Sequence, residues 1–519
     1  MAKIIEKIGE WNPQFYREIK GKLTRNRVLL TIFISLCLQG LCVLPATSPK
    51  ELSSGKVAWN FNWEFIFYSL NWVIPFALLL IGVYLIASDL SREQARGTLN
   101  FVRLSPQPSD RILLGKLLGV PILLYFGVAL AIPLHLKAGI SAAMPGLRII
   151  SAYPLWGGLC ALFYGTTLLI ALLPKKQGEN GTQRSIVGVS SLLALMSAPT
   201  AISIVEYVFY TYTTEFQNPF SWHWFFVPLQ ETFLYFWTLG TLCVASHWIW
   251  QAANRRFRNP NRALISKLQS YGIVVGTQLW LLGFCMPTLE SLDGAIFAGI
   301  GLFCLFFLMP IEILILASLL SPDRQTLFDW TRYRHQQNSR DRAFWKDLLL
   351  GEKSPAIAAI ALNLALAALI WIPWLLFLRQ SSAFLENQPS DVSVTLSRLL
   401  LSTWMTAAIV LIYSIINQIV RFYAKTSKQA IAIALPWGIV AFFPMVIAGI
   451  YALSPEQMPL LWLFSPVPAL AIFYGSTTSL LLGFFGQLGI LALLARHLQR
   501  TLKQAGISES KQLFERSQV

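Results

Sequence analysis

Long apolar runs recur along the whole 519-residue chain. A run of about 20 residues, coiled as a helix, crosses the roughly 30 Å of hydrocarbon in a bilayer. No stretch between the runs is long enough for a soluble domain. Only 13% of the residues are charged, against about 25% in soluble proteins. The sequence therefore predicts an all-α, polytopic membrane helical bundle.

About twelve of these runs are predicted to be transmembrane helices. They cover residues 28–46, 63–88, 112–135, 152–173, 185–210, 229–250, 271–288, 294–320, 355–377, 399–420, 430–452 and 468–495. Because six runs lie on each side of a basic stretch, we interpret the bundle as two six-helix halves.

Lysine and arginine are concentrated in alternate segments between the predicted spans. Of the 41 such residues, 34 lie in the set of segments that includes both termini. Cytoplasmic loops retain Lys and Arg, so this alternation predicts a multi-pass protein with both termini in the cytoplasm. The net charge of +16 is spread over short loops, and we therefore do not expect the chain to bind nucleic acid.

The predicted domains follow from the spans and the charges. Within residues 1–27, four apolar side chains recur at four-residue intervals between basic residues: Trp11, Phe15, Ile19 and Leu23. This spacing indicates an amphipathic interfacial N-terminal helix, although a merely basic flank would carry the same charges. The other divisions are a first six-helix half, a basic cytoplasmic linker, a second six-helix half and a cytoplasmic tail, at 28–250, 251–270, 271–495 and 496–519.

Short echoes between the halves suggest an internal duplication. The paired segments are Asn12-Pro13 with Asn259-Pro260, Lys22-Leu23 with Lys267-Leu268, and Leu113-Leu114-Gly115 with Leu349-Leu350-Gly351. Matches this short also arise by chance, so the duplication is a hypothesis at this stage.

The first cytoplasmic loop, residues 91–105, holds the most informative pattern. Ser91 with Gln94 fits a capping box, so a helix is predicted to begin there. Pro106 and the proline two residues later would end it. Such a helix, lying between two membrane spans, suits contact with a cytoplasmic partner. Its charged face would be free for docking and would consist of Arg92, Glu93, Arg96 and Arg103.

This loop and its flanks resemble the ABC type-2 exporter permeases, the membrane subunits of one class of ATP-binding-cassette transporters. The resemblance covers about the first 120 residues. It rests on Glu93-x-x-x-Gly97-Thr98-Leu99, then Leu104 and Pro106, then Ile112-Leu113-Leu114-Gly115-Lys116, together with the basic N-terminal segment Asn12-Pro13-x-x-x-Arg17-Glu18.

The resemblance implies a permease subunit that exports or flips a substrate across a prokaryotic cell inner membrane. In that family the loop helix couples transport to a cytoplasmic ATP-binding-cassette ATPase subunit. Carried over to this chain, the ATPase-coupling residues are Glu93, Gly97, Thr98, Leu99, Leu104 and Pro106. Nothing in the sequence identifies the substrate.

The chain itself is not expected to hydrolyse ATP or to be an enzyme. Gly55-Lys56 and Gly115-Lys116 lack the other residues of a phosphate-binding loop, so ATP and magnesium are expected in the partner ATPase and no cofactor in this chain. All six cysteines fall inside predicted spans without paired spacing, which indicates no metal site.

Two questions stay open from the sequence. The loop of the second half, Ser321 to Leu327, lacks the Glu and Gly of the first. The chain is therefore either a pseudo-dimer of fused halves with one degenerate loop, or a long protomer that forms a homodimer. In addition, Glu312 lies in an otherwise apolar span after Pro310. As a candidate intramembrane polar site it suits an ion-coupled secondary transporter, or else a carboxyl group hydrogen-bonded to a neighbouring helix.

Overall fold

The computed structural model confirms an all-α polytopic bundle in the part of the chain that it describes. The described residues are 9–51, 57–172, 180–210, 223–225, 227–228, 231–259, 263–286, 292–322, 324–336, 341–378, 395–423, 463, 468 and 476–506. Strands are limited there to two short antiparallel hairpins, β1 Thr47–Glu51 with β2 Val57–Phe61, and β3 His223–Trp224 with β4 Val227–Pro228.

The chain divides into two compact units. The first is Met1–Asn218 with Gln230–Arg262, and the second is Pro219–Leu229 with Ala263–Val519. The described helices of the first unit are α1 Pro13–Lys22, α2 Arg25–Val43, α3 Trp63–Ala95, α4 Thr98–Arg103, α5 Ser109–Gly119, α6 Ile122–Ser141, α7 Gly146–Ala171, α8 Asn180–Tyr210 and α9 Glu231–Arg258.

The second unit contains one interrupted helix among its described elements. A π-helical turn, Cys304–Leu308, joins α11 to α12 just before Pro310, which has no N–H to donate. The described helices are α10 Lys267–Cys285, α11 Leu292–Phe303, α12 Met309–Leu320, α13 Arg324–Gln336, α14 Asp341–Leu350, α15 Ile357–Leu378, α16 Leu396–Tyr423 and α17 Thr477–Gly506.

Nine helical segments in the described residues are long and apolar enough to cross a membrane. They are Arg25–Ala46, Trp63–Ala95, Ile122–Ser141, Gly146–Ala171, Ile186–Ile204, Ala298–Leu320, Ile357–Leu378, Leu396–Tyr423 and Thr477–Ala505. The predicted spans 229–250 and 271–288 coincide with α9 and α10, which are more polar and do not count among the nine. The predicted span 430–452 lies outside the described residues. The chain is thus a membrane-embedded multi-pass protein.

The predicted span 112–135 is wrong at its start. Helix α5 ends at Gly119, and α6 begins only at Ile122, after Pro121. Since Pro121 has no N–H, it cannot bond the Leu117 carbonyl, and the Tyr125 hydroxyl donates to that carbonyl instead, at 3.0 Å. Residues 109–119 therefore form a separate short helix beside the span.

Each unit has its own apolar core. In the first unit the core lies around α3, with Val83, Ile86 and Leu90 fully enclosed by neighbouring helices. In the second unit it lies between α12 and α15, where Ile313 and Trp371 are buried.

Candidate coupling site

The loop that carries the resemblance to the permease family, residues 91–105, begins as the end of α3. The prediction that a helix begins at Ser91 is wrong, because α3 continues to Ala95. Ser91 lies inside the helix and donates its hydroxyl proton to the Ser88 carbonyl at 3.0 Å. Gln94 donates its side-chain amide to the Ala171 carbonyl. No free helix N-terminus exists at Ser91 for a capping box, since the preceding turns already supply the backbone acceptors.

The chain turns sharply at Gly97. This residue has a φ of +71°, in the left-handed region that L side chains rarely adopt. No atom lies within 4 Å of where its Cβ would stand, so the constraint is conformational and not one of space. The Thr98 hydroxyl donates to the Glu93 carbonyl at 3.2 Å and so ties the two sides of the turn together.

The short helix α4 has one buried and one exposed side. Leu99 is 3% exposed and packs into the core of the first unit. Phe101 and Leu104 are 77% and 83% exposed. Leu104 is one of the coupling residues predicted from the sequence, and that role stays a prediction. The sequence analysis did not single out Phe101. A helix turns about 100° per residue, so the residue two positions after a buried leucine lies on the opposite face, and this spacing was available as a signal.

Glu93 is not free for docking, contrary to the sequence prediction. Its carboxylate lies 2.8 Å from Lys116 Nζ and 2.9 Å from Arg17 Nη2. Lys116 is fully buried, and its ammonium also lies 2.9 Å from Asp89 and 3.8 Å from Glu18. The end of α3, helix α1 and helix α5 are therefore held together by charge.

A further basic group offsets the negative charge of the carboxylates around Lys116. Lys22 Nζ lies 3.0 Å from Glu18 and donates to the Val120 carbonyl at 3.2 Å. The carboxylates of Glu18, Asp89 and Glu93 place one oxygen each within 4.8 Å of one another, a spacing compatible with a cation. The Lys116 ammonium lies against all three. Burial alone would lower the pKa of Lys116, but attraction to Asp89 and Glu93 outweighs burial and raises it.

Two glycines allow α1 to lie directly on α5. A Cβ on Gly115 would stand 2.7 Å from Asn12 Oδ1, and one on Gly119 would stand 2.6 Å from the Glu18 Cβ. Asn12 caps α1 by accepting the Phe15 N–H at 3.0 Å and donates to the Arg111 carbonyl at 2.7 Å. The buried side of α1 is consequently polar.

Exposed apolar side chains stand at the two ends of α1. Trp11 and Leu23 are exposed, Phe15 and Ile19 between them are half-buried, and Glu18 is buried. Exposed tryptophan beside basic residues is typical of a helix that lies in the membrane interface. The interfacial location of residues 1–27 stays a prediction.

Pro106 lies beyond α4 in the wall of a cavity of about 330 Å³. The cavity is lined by Arg103, Pro106, Gln107, Pro108, Ser109, Ile112, Phe257 and Arg258. The Arg103 guanidinium stands over the Phe257 ring at 5.5 Å, and Arg258 donates to the Ser109 hydroxyl at 2.8 Å. The structure thus brings Glu93, Thr98 and Leu99 together at the turn, while Leu104 and Pro106 continue outward from it.

Glu312 lies in the second unit, within α12. Both of its carboxylate oxygens accept hydrogen bonds, one from the Thr277 hydroxyl and one from the Gln278 amide. The Gln278 carbonyl oxygen in turn accepts the Trp371 indole N–H at 2.7 Å. This chain of bonds joins α12, α10 and α15, and it corresponds to the carboxyl group bonded to a neighbouring helix that the sequence left open.

No protein-family model, curated protein or solved structure matches this chain.

Proposed function

We propose that the chain is the permease subunit of an ATP-driven transporter that exports or flips a substrate across a prokaryotic inner membrane. A separate cytoplasmic ATP-binding-cassette subunit would hydrolyse ATP. The observation that carries the proposal is the geometry of α4, which presents Phe101 and Leu104 outward while Gly97 and Leu99 attach it to the end of α3. Two large apolar side chains exposed on a polar loop favour contact with a partner protein.

The ion pairs around Lys116 would pass a movement of α4 on to neighbouring helices. A partner that displaces α4 acts on the end of α3 through the Gly97 turn. Glu93 and Asp89 on α3 are paired with Lys116 on α5 and, through Glu18, with α1. Displacement of α4 therefore moves three helix ends together. In this proposal Glu93 transmits the movement inside the chain and does not touch the ATPase.

The predicted orientation belongs to the same proposal. If the alternation of Lys and Arg is read as a cytoplasmic signal, α1, α4 and α5 lie on the cytoplasmic side with both termini. ATP is available on that side, so a coupling surface is useful only there.

The second candidate is an ion-coupled secondary transporter that uses Glu312. It is favoured by a carboxyl group in an apolar span next to a π-helical turn, since such turns are frequent at functional sites. Against it, both oxygens of Glu312 are already bonded by Thr277 and Gln278. A structural role accounts for those bonds without a transported ion.

Purification of the full chain from its native membrane tests the proposal. We expect a co-purifying protein whose sequence contains a phosphate-binding loop and whose ATP hydrolysis rises in the presence of the chain. Glu93→Lys should abolish that stimulation. Glu64→Lys is the matched control, because Glu64 is an exposed glutamate at the other end of α3. Transport that needs an ion gradient, with no such ATPase bound, would favour the Glu312 alternative.

A further inference from the structure

The cavity next to α4 lies wholly within the first unit and has a positively charged wall. Its volume is about 330 Å³, and its lining comes from the segment between α4 and α5, the start of α5 and the end of α9. Arg103 and Arg258 are among the eight described residues that line it, and none of those eight is acidic. The wall therefore offers two guanidinium groups and no carboxylate.

The Arg103 guanidinium has donors that the described part of the chain does not satisfy. Its Cζ lies 5.5 Å from the centroid of the Phe257 ring, and a contact with a ring face occupies no N–H group. Its Nη1 donates to Asn100 Oδ1 at 3.4 Å, whereas its Nε is enclosed without a hydrogen-bond partner among the described residues. Enclosed donors of this kind normally have an acceptor, which favours a bound ligand.

Lys116 shows how the first unit treats a buried cation elsewhere. Attraction to Asp89 and Glu93 outweighs burial and raises the pKa of Lys116. Burial lowers the pKa of Arg103, and no carboxylate of the described chain pairs with it. The guanidinium still stays charged at neutral pH. An anion from outside the chain would do for Arg103 what the two carboxylates do for Lys116.

Ser109 holds the second guanidinium in place. Arg258 Nε donates to the Ser109 hydroxyl at 2.8 Å, and that hydroxyl donates to the side-chain oxygen of Asn254. A guanidinium has five N–H groups, so this bond leaves most of them available. Their fork geometry suits the oxygens of a phosphate group, which has enough oxygens to accept from two guanidinium groups at once.

The start of α5 adds to the positive potential of the cavity. Pro108 precedes this helix, and no side chain caps it. The N–H groups of an uncapped first turn carry partial positive charge and favour an anion. Asp110 belongs to the same turn but is not among the residues that line the cavity.

We propose that this cavity binds the phosphate group of an anionic ligand, held between the guanidinium groups of Arg103 and Arg258. The predicted span 229–250 ends shortly before Arg258, so the cavity is expected at the membrane surface, where phospholipid headgroups supply phosphate. Because Arg103 ends α4 and Arg258 ends α9, a bound phosphate joins these two helix ends. The binding needs no ATPase subunit and is therefore independent of the proposed function.

Lipid retention by the full chain tests the proposal. The chain is reconstituted in nanodiscs of equal parts phosphatidylcholine and phosphatidylglycerol, released into detergent and weighed by native mass spectrometry. We expect it to retain phosphatidylglycerol, whose headgroup is a net anion, in preference to phosphatidylcholine. The cavity variants, Arg103→Gln and Arg258→Gln, should each lower this retention about tenfold, since each loses charge-assisted hydrogen bonds. Arg96→Gln, at an exposed arginine outside the cavity, is the matched control and should retain the lipid.

A second measurement distinguishes a lipid from free phosphate. In detergent without phosphatidylglycerol, the melting temperature is compared in sodium phosphate and in sodium chloride of equal ionic strength. A rise in phosphate that both cavity variants lose, without lipid retention, would assign the site to soluble phosphate. The melting temperatures in chloride show whether each variant is folded, and Arg258→Gln, at an exposed side chain, decides if Arg103→Gln does not fold. Equal lipid retention in Arg258→Gln and Arg96→Gln, or binding of neither lipid nor phosphate, would overturn the proposal.

Discussion

Lys116 Nζ, which is fully buried, lies 2.8 Å from Glu93 Oε2. These residues belong to two separate parts of the family-like motif, and the structure makes them partners of each other. Glu93 would otherwise be taken for a docking residue. The pairing assigns it instead to the connection between the end of α3 and helix α5.

Lys116→Met should destabilise the first unit strongly. It leaves the carboxylates of Asp89 and Glu93 without the cation between them, and breaking a buried ion pair costs about 3–5 kcal/mol. We expect the free energy of unfolding in mild detergent to fall by about that amount, as measured by denaturant titration.

A second substitution tests whether unpaired charge causes the loss of stability in Lys116→Met. Glu93→Gln in the Lys116→Met background should recover part of the loss, because it removes one uncompensated charge. Lys353→Met, at an exposed lysine, is the control and should change little. Equal losses from both lysine variants would contradict the role of the network.

Gly97→Val should uncouple ATP hydrolysis from transport without unfolding the bundle. The site has room for a side chain, so the cost is the left-handed backbone, about 1–2 kcal/mol for a residue with a Cβ. Gly97→Asn is the matched control, since asparagine tolerates that conformation, and it should retain most of the stimulated hydrolysis. Equal stimulated hydrolysis in Gly97→Val and Gly97→Asn would contradict the claim that the left-handed turn is what requires glycine here.

Glu312→Gln should leave ATP-driven transport largely intact. A glutamine oxygen still accepts a hydrogen bond from Thr277 or Gln278, whereas Glu312→Ala leaves the Gln278 amide without this acceptor and should cost about 1–3 kcal/mol of stability. The Thr277 hydroxyl can still donate to the Ile273 carbonyl at 2.8 Å. Thermal unfolding and transport are measured for both variants. Loss of transport in Glu312→Gln, with ATPase stimulation unchanged, would mean that the carboxyl group takes part in transport.

Lys267 predicts a pH dependence of the second unit. Burial lowers the pKa of its ammonium to about 8, and Asp347 acts in the opposite direction. The unfolded lysine has a pKa of about 10.4. Between these values the unfolded chain holds a proton that the folded chain has lost, so the free energy of unfolding rises with pH, by at most about 1.4 kcal/mol per unit.

The comparison with Lys267→Met isolates that contribution. The difference in melting temperature between the native chain and the variant should widen from pH 8 to pH 10 in favour of the native chain. A difference that stays constant over this range would show that Lys267 remains protonated, held by its bonds to Leu348, Ser354 and Pro355.

The sequence predicts spans well where apolar composition alone decides them. The second span is an example, since its predicted start at residue 63 agrees with α3. Its end was missed, because hydropathy falls at Asp89 and Glu93 while the helix continues to Ala95. Pairing with Lys116 makes those charges tolerable inside a packed structure, and a pairing of distant residues leaves no periodic signal in the sequence.

The candidate site shows the same limit. Gly97 could be singled out from its residue type, since a glycine in a polar loop suggests a turn that a Cβ would oppose. The contacts of Glu93 with Arg17 and Lys116 depend on how α1 lies on α5, and that packing is set by Gly115 and Gly119. Without the fold, Glu93 could not be distinguished from an exposed docking residue.

Site-specific photo-crosslinking tests whether α4 contacts the ATPase subunit. A photoreactive residue at Leu104, which is 83% exposed on α4, should crosslink to the ATPase subunit in intact cells. Ile140, which is 70% exposed at the end of α6, is the matched control and should give no such crosslink, because its predicted location is on the other side of the membrane. A crosslink from Ile140, or none from Leu104 in an intact complex, would contradict the assignment of this segment as the coupling surface.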